Sequence, residues 1–161
     1  MRTKVWDGCD VLIGNCLETL KTLPDESIHS CITSPPYYAL RDYGGEDEQI
    51  GLEETPEQFI EKLVDVFREV KRVLHPSGTL WLNIGDSYWG GKGASGQGTP
   101  EYQDARENTL NKGHHQIGGP KKTRPTDRSH HEIKPKDLIG IPWMLAFALR
   151  ADGWYLRQDI I

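Results

Sequence analysis

Apolar positions along this chain fall into short runs and longer stripes that alternate. Asp10-Val11-Leu12-Ile13 reads as a short buried strand, and Cys16, Leu17, Leu20 and Leu23 then recur at helical spacing until Pro24 stops them. Ile28 to Thr33 is a second apolar run that ends abruptly at Ser34-Pro35-Pro36-Tyr37. Neither proline can donate a ladder hydrogen bond, so the chain has to leave the sheet there.

The strongest helix follows. Thr55-Pro56-Glu57-Gln58 is a capping box with proline at the first helical position. Phe59, Ile60, Leu63, Val66, Phe67, Val70, Val73 and Leu74 then form one apolar stripe. His75-Pro76-Ser77-Gly78 ends the helix, and Thr79 to Ile84 reads as a third strand. Gly85 to Pro135 has no apolar period and holds nine of the 17 glycines between positions 85 and 119. So long a segment is functional or disordered, which predicts a flexible Gly-rich insertion at about 86–135. Order resumes with a helix from about Pro142 to Ala151, closed by Gly153, and Trp154 to Ile161 reads as a fourth strand. Strands alternating with helices predict an α/β domain with a mostly parallel sheet and flanking helices. Ligands of such sheets bind outside the C-terminal strand ends, where Ser34-Pro35-Pro36-Tyr37 sits.

Length and composition narrow the class. The 161 residues allow one domain with one sizeable core, and 36% hydrophobic with 27% charged residues is an ordinary soluble balance. No apolar run approaches the roughly 20 residues of a membrane span, and Met1 to Asp10 lacks the apolar stretch of a secretion signal. Three cysteines, Cys9, Cys16 and Cys31, are too few for a disulfide scaffold and contain no Cys-x-x-Cys pair, so a reducing cytoplasm is expected.

Charge changes the picture. The net charge of −5 argues against a polyanionic partner, but residues 1–105 carry 9 basic and 18 acidic side chains, whereas residues 106–136 carry 8 basic and 3 acidic ones. A basic segment in an acidic protein is either an electrostatic footprint for phosphates or a solvated loop. Its candidate phosphate contacts are Lys121, Lys122, Arg124 and Arg128.

The Ser34-Pro35-Pro36-Tyr37 corner offers rigid carbonyl acceptors, a short hydroxyl and a flat ring with a polar tip. This suits a planar heterocycle bearing an exocyclic amine. The acceptors take the amine protons, and stacking on the ring adds roughly 1–3 kcal/mol per base. Acceptors on both N–H bonds favour a pyramidal nitrogen whose lone pair points at an electrophile, so rate comes from positioning and electrostatics. Judged by composition alone, the same tetrapeptide is also a turn or a proline-rich partner motif.

Its surroundings resemble the β-class amino-methyltransferases of DNA, which modify cytosine N4 or adenine N6. The blocks that carry the resemblance run from Thr33 to Tyr43, from Ile50 to Pro56, from Thr79 to Tyr88, and from Pro142-Trp143 to Asp152-Gly153-Trp154-Tyr155. The resemblance implies a Rossmann-like methyltransferase fold, S-adenosyl-L-methionine as cofactor and double-stranded DNA as partner. It also implies a host-protecting role beside a cognate restriction endonuclease. Ser34, Pro35, Pro36 and Tyr37 match the family's catalytic motif, (Asp/Asn/Ser)-Pro-Pro-(Tyr/Phe/Trp). There the first residue and the following proline carbonyl hold the amine, and the aromatic stacks on a flipped base. Serine in first position resembles the cytosine-N4 members; adenine N6 is the alternative. Further alternatives are a non-catalytic nucleic-acid-binding remnant and an enzyme acting on RNA or a protein amide.

Other residues fit less well. Asn15-Cys16 sits where relatives have a Gly-Asp-Cys-like turn near the methyl donor, and a plain strand-end turn is the other reading. Asp86 lies near the site or caps a helix or turn. Gly91 to Gly96 satisfies Gly-x-Gly-x-x-Gly, but no apolar helix follows it, so a loop is expected. His114-His115 and His130-His131 keep no zinc spacing, and no metal site is expected. No Pro-Cys pair occurs, which disfavours carbon-5 cytosine chemistry. The family's Phe-x-Gly-x-Gly donor loop is not found after Tyr37. The expectation is therefore an incomplete domain: residues 1–161 as a partial catalytic domain that alone binds the donor poorly, methylates little and leaves a sheet edge exposed.

Overall fold

A computed structural model describes residues 8–40, 49–90, 126 and 130–161, together with the backbone of residues 2–6. Its elements are β1 (Arg2–Trp6), β2 (Cys9–Leu12), α1 (Cys16–Lys21), β3 (Ile28–Thr33), α2 (Pro56–Val73), β4 (Leu74–Leu82) and α3 (Ile141–Ala151). They distribute over two compact units, where the length suggests one domain. The first comprises residues 1–34, 61–83 and 145–161, and the second residues 35–60 and 84–144.

The heart of the first unit is a β3–α2–β4 crossover. β3 and β4 pair in parallel, Cys31 opposite Leu80, Ile32 opposite Trp81 and Thr33 opposite Leu82. Because a parallel pair cannot be closed by a hairpin, a long connection is obligatory, and α2 supplies it. Leu63, Val64, Phe67, Val70, Val73 and Leu74 are buried, as are Leu145 and Leu149 of α3. Arg72 fastens the α1 end to α2: its guanidinium donates to the carbonyls of Leu20 (2.9 Å) and Leu23 (3.1 Å) and pairs with Asp25 and Glu69. These partners hold the Arg72 pKa above its ordinary value, hydrogen bonding to Asp25 being the largest cause.

Three expectations are corrected here. The run at 10–13 does not join the parallel sheet; β2 pairs antiparallel with β1, and Val11 and Ile13 are exposed. Asp7-Gly8 between them is a two-residue hairpin signal, and Gly8 has φ +85°. Second, β4 starts at Leu74 rather than Thr79. Leu74 pairs with Ile28 and Thr79 with Ser30, so the expected turn around Pro76 survives as a bulge within the strand. Gly78 is required there, since a Cβ would lie 2.8 Å from the His75 carbonyl. Third, Trp154 to Ile161 forms no strand. α3 ends in a Schellman turn, Trp154 N–H bonding Leu149 O at 3.0 Å and Gly153 N–H bonding Arg150 O at 3.1 Å, with Gly153 at φ +93°. The residues beyond it pair with no strand among the described residues, and a strand needs a neighbour for its ladder.

In the second unit the capping box is realised atom for atom. Thr55 Oγ1 accepts from Gln58 N and Gln58 Oε1 accepts from Thr55 N, both at 3.3 Å. Tyr38, Phe59, Ile60, Trp89, Ile139 and Ile141 are buried. Residues 86–90, at the start of the expected insertion, meet residues 136–139, just past its end, through backbone bonds: Trp89 N to Asp137 O (2.9 Å), Lys136 N to Trp89 O (2.7 Å) and Ile139 N to Ser87 O (2.9 Å). Among the described residues no helix is long and apolar enough to cross a membrane.

Candidate active site

The Ser-Pro-Pro-Tyr corner begins where β3 stops. Thr33 is the last β3 residue, and its carbonyl accepts from Asn83 N at 2.9 Å, just past the end of β4. Ser34 follows, exposed, at the C-terminal end of the parallel pair; Pro35, Pro36 and Tyr37 are half-buried and open the second unit.

Within that unit several segments hold Pro36 and Tyr37. Gly51, at φ +109°, brings bare backbone against them: a Cβ there would meet Pro36 Cβ and the Tyr37 carbonyl, each at 3.3 Å. Its own carbonyl accepts from Ala39 N at 2.7 Å, and its N–H donates to Glu53 Oε2 at 2.8 Å. Tyr38 anchors the next position. Its ring is buried against Phe59, centroids 5.4 Å apart, and its hydroxyl donates to the Glu53 and Glu54 carbonyls at 3.3 and 3.4 Å. Gly85 lies against the Tyr37 ring, and Ser87 Oγ donates to the Tyr38 carbonyl at 3.2 Å.

Of the two readings open for Asp86, the geometry is that of a cap. Its carboxylate accepts from Gly140 N (2.9 and 3.1 Å), Ile141 N (3.2 Å) and Ser87 N (2.8 Å), satisfying donors at the start of α3. Asn15 also caps: its Oδ1 accepts from Leu17 N at 2.9 Å, and its carbonyl accepts from Thr19 N (2.9 Å) and Thr19 Oγ1 (3.0 Å). Cys16 is the exposed first residue of α1. Asn15 thus caps α1 through its own side chain, and Cys16 sets an exposed thiol beside it.

Lys121, Lys122, Arg124 and Arg128, the Gly91–Gly96 loop and His114-His115 lie outside the described residues. His130 is a turn residue: its Nδ1 accepts from Glu132 N (3.1 Å) and Ile133 N (3.0 Å), and its ring meets Trp89 edge-on at 4.9 Å. His131 stacks on it. Among the described residues no group of three or more His, Cys, Asp or Glu could hold a metal ion.

Cys31, three residues before Ser34, is half-buried, and burial pushes its thiol pKa up. A raised pKa leaves less thiolate at any given pH, so Cys31 is a poor nucleophile. Iodoacetamide at pH 8 is expected to label Cys16 well before Cys31, with Cys31 catching up only at more alkaline pH, by peptide mass mapping. Equal labelling of the two at pH 8 would contradict this.

Sequence reasoning missed Gly51, Gly85 and Tyr38. A glycine ending the apolar run at Ile84 was the available signal, since glycine at a strand end often marks close backbone approach.

A parallel crossover whose strand end leads into a proline-stiffened, aromatic-tipped corner marks an α/β protein. The N6/N4 DNA methylase family model matches residues 28–161, and the chain belongs to that family. It is 47% identical over 156 residues to the Type II methyltransferase M.Cfr9I of Citrobacter freundii, covering 96% of this chain and 46% of that protein. It is also 47% identical over 154 residues to the Type II methyltransferase M.SmaI of Serratia marcescens, covering 96% and 47%. The chain thus spans about half the length of the curated relatives it matches. A solved structure of a candidate DNA modification methylase from Thermus thermophilus is 32% identical, covering 58% of this chain and 36% of that one at a TM-score of 0.37.

Proposed function

We propose that this chain is the base-holding part of a DNA amino-methyltransferase that modifies an exocyclic amine in double-stranded DNA, cytosine N4 in preference to adenine N6. The observation that carries the reading is Pro36-Tyr37, held by Gly51 and Gly85 directly after the C-terminal end of β3. Membership of the family supports amine-holding chemistry at this corner, and serine at position 34, instead of aspartate, favours cytosine. S-adenosyl-L-methionine supplies the electrophilic methyl group in such a reaction. The chain's own residues do the rest. The Ser34 hydroxyl and the Pro35 carbonyl accept the amine N–H bonds, turning the nitrogen lone pair outward. The Tyr37 ring stacks on the extruded base and offsets the few kcal/mol that flipping costs. Pro35 and Pro36 keep the acceptors fixed, so no reorganisation is needed at the moment of transfer. Lys121, Lys122, Arg124 and Arg128 contact phosphates, the enzyme works in the cytoplasm, and a cognate restriction endonuclease is its natural counterpart.

The test is to express the gene's complete reading frame in a host lacking DNA methylation and analyse the digested DNA by mass spectrometry. N4-methylcytosine is expected. N6-methyladenine would move the assignment to the alternative base, and 5-methylcytosine, or no methylated base, would defeat it.

A further inference from the structure

We infer that Gly85, Asp86 and Ser87 form a rail that sets the Tyr37 ring, making all three positioning residues for the base that the ring receives; this rests on the role proposed for Tyr37. Each of the three does a different part. A Cβ on Gly85 would lie 2.7 Å from Tyr37 Cε2 and 3.0 Å from Cδ2, well inside the separation at which carbon atoms attract. The ring therefore rests on bare backbone that only glycine offers. Asp86 immobilises that backbone, because its carboxylate binds the N–H groups of Gly140 and Ile141 at the start of α3. Ser87 then ties the rail to the residue after Tyr37, through the 3.2 Å bond to the Tyr38 carbonyl. Tyr38 cannot shift in response, since its ring is buried and its hydroxyl bonded. The Tyr37 ring is thus fixed from its own backbone and from the rail, and a methyl group added at Gly85 has to move the ring. Displacement of about 1 Å in such a positioning group can cost about 100-fold in rate.

The experiment uses the complete reading frame, with methyl transfer to DNA, thermal unfolding, and fluorine NMR of protein labelled with 3-fluorotyrosine. The Tyr37 resonance is identified by its loss in Tyr37→Phe. Gly85→Ala is expected to shift that resonance and to lower kcat about 100-fold with KM for DNA little changed. The loss in Tm caused by Gly85→Ala should largely vanish on a Tyr37→Ala background, because the colliding ring is gone. Ser87→Ala, which leaves the glycine in place, should broaden or shift the same resonance and lower kcat about threefold to tenfold. It keeps the question decidable if Gly85→Ala fails to fold. An unmoved Tyr37 resonance in both variants, or Tm losses that simply add, overturns the rail. So does unchanged kcat in folded Gly85→Ala where Tyr37→Ala is inactive. Full activity of Tyr37→Ala instead overturns the role of Tyr37 itself.

Discussion

Tyr37→Ala is expected to reduce methyl transfer by about 100-fold or more while leaving the fold intact. The ring is half-buried and stands against Gly85, whereas the core beneath it is carried by Tyr38 and Phe59. Removing the ring therefore takes away the stacking surface, worth roughly 1–3 kcal/mol on the base, without opening the hydrophobic centre. A further loss comes from the wandering of a base no longer held in line. Tyr37→Phe keeps the flat face and should retain most of the activity. The assay is incorporation of tritiated methyl into DNA, with circular dichroism to show that the variant is folded. Near-native transfer by Tyr37→Ala would remove the ring from the chemistry.

Asp86→Ala should cost about 2–3 kcal/mol of stability, read as a lower urea midpoint at unchanged slope. One carboxylate satisfies the N–H groups of Ser87, Gly140 and Ile141, and the last two open α3. Alanine leaves those donors without their partner and removes a negative charge from a helix N-terminus. Asp86→Asn keeps one acceptor oxygen and should lose about half as much. A change within about 0.5 kcal/mol for Asp86→Ala, the range of a neutral surface substitution, would show that water replaces the cap.

What could be read in advance was local. The reciprocal bonds of Thr55 and Gln58, the apolar stripe of α2 and the glycine that closes α3 all follow from neighbours within a few residues. So did the exit of the chain at Pro35-Pro36, because proline chemistry acts where the proline stands. The pairing of β2 was misassigned because Asp10 to Ile13 is the same short apolar run whether its partner is a hairpin strand or a parallel one. The partner, not the pattern, decides. Residues 154–161 are apolar enough for a strand, yet pairing needs a second backbone that the local pattern cannot name. The frame of the site was hidden for the same reason. Asp86 and Gly140 are 54 positions apart, and nothing at either end of that interval marks the other.

Contact between Tyr37 and an extruded base can be measured by photocrosslinking. DNA containing 5-iodocytosine, and in parallel DNA containing 8-bromoadenine, is irradiated with the complete protein, and the adducts are mapped by peptide mass spectrometry. The expected product is an adduct on the peptide containing Tyr37, formed with the iodocytosine DNA and lost in Tyr37→Ala. Adducts that fall elsewhere with both DNAs, leaving residues 34–37 unmodified, would contradict the proposal that this corner grips the target base.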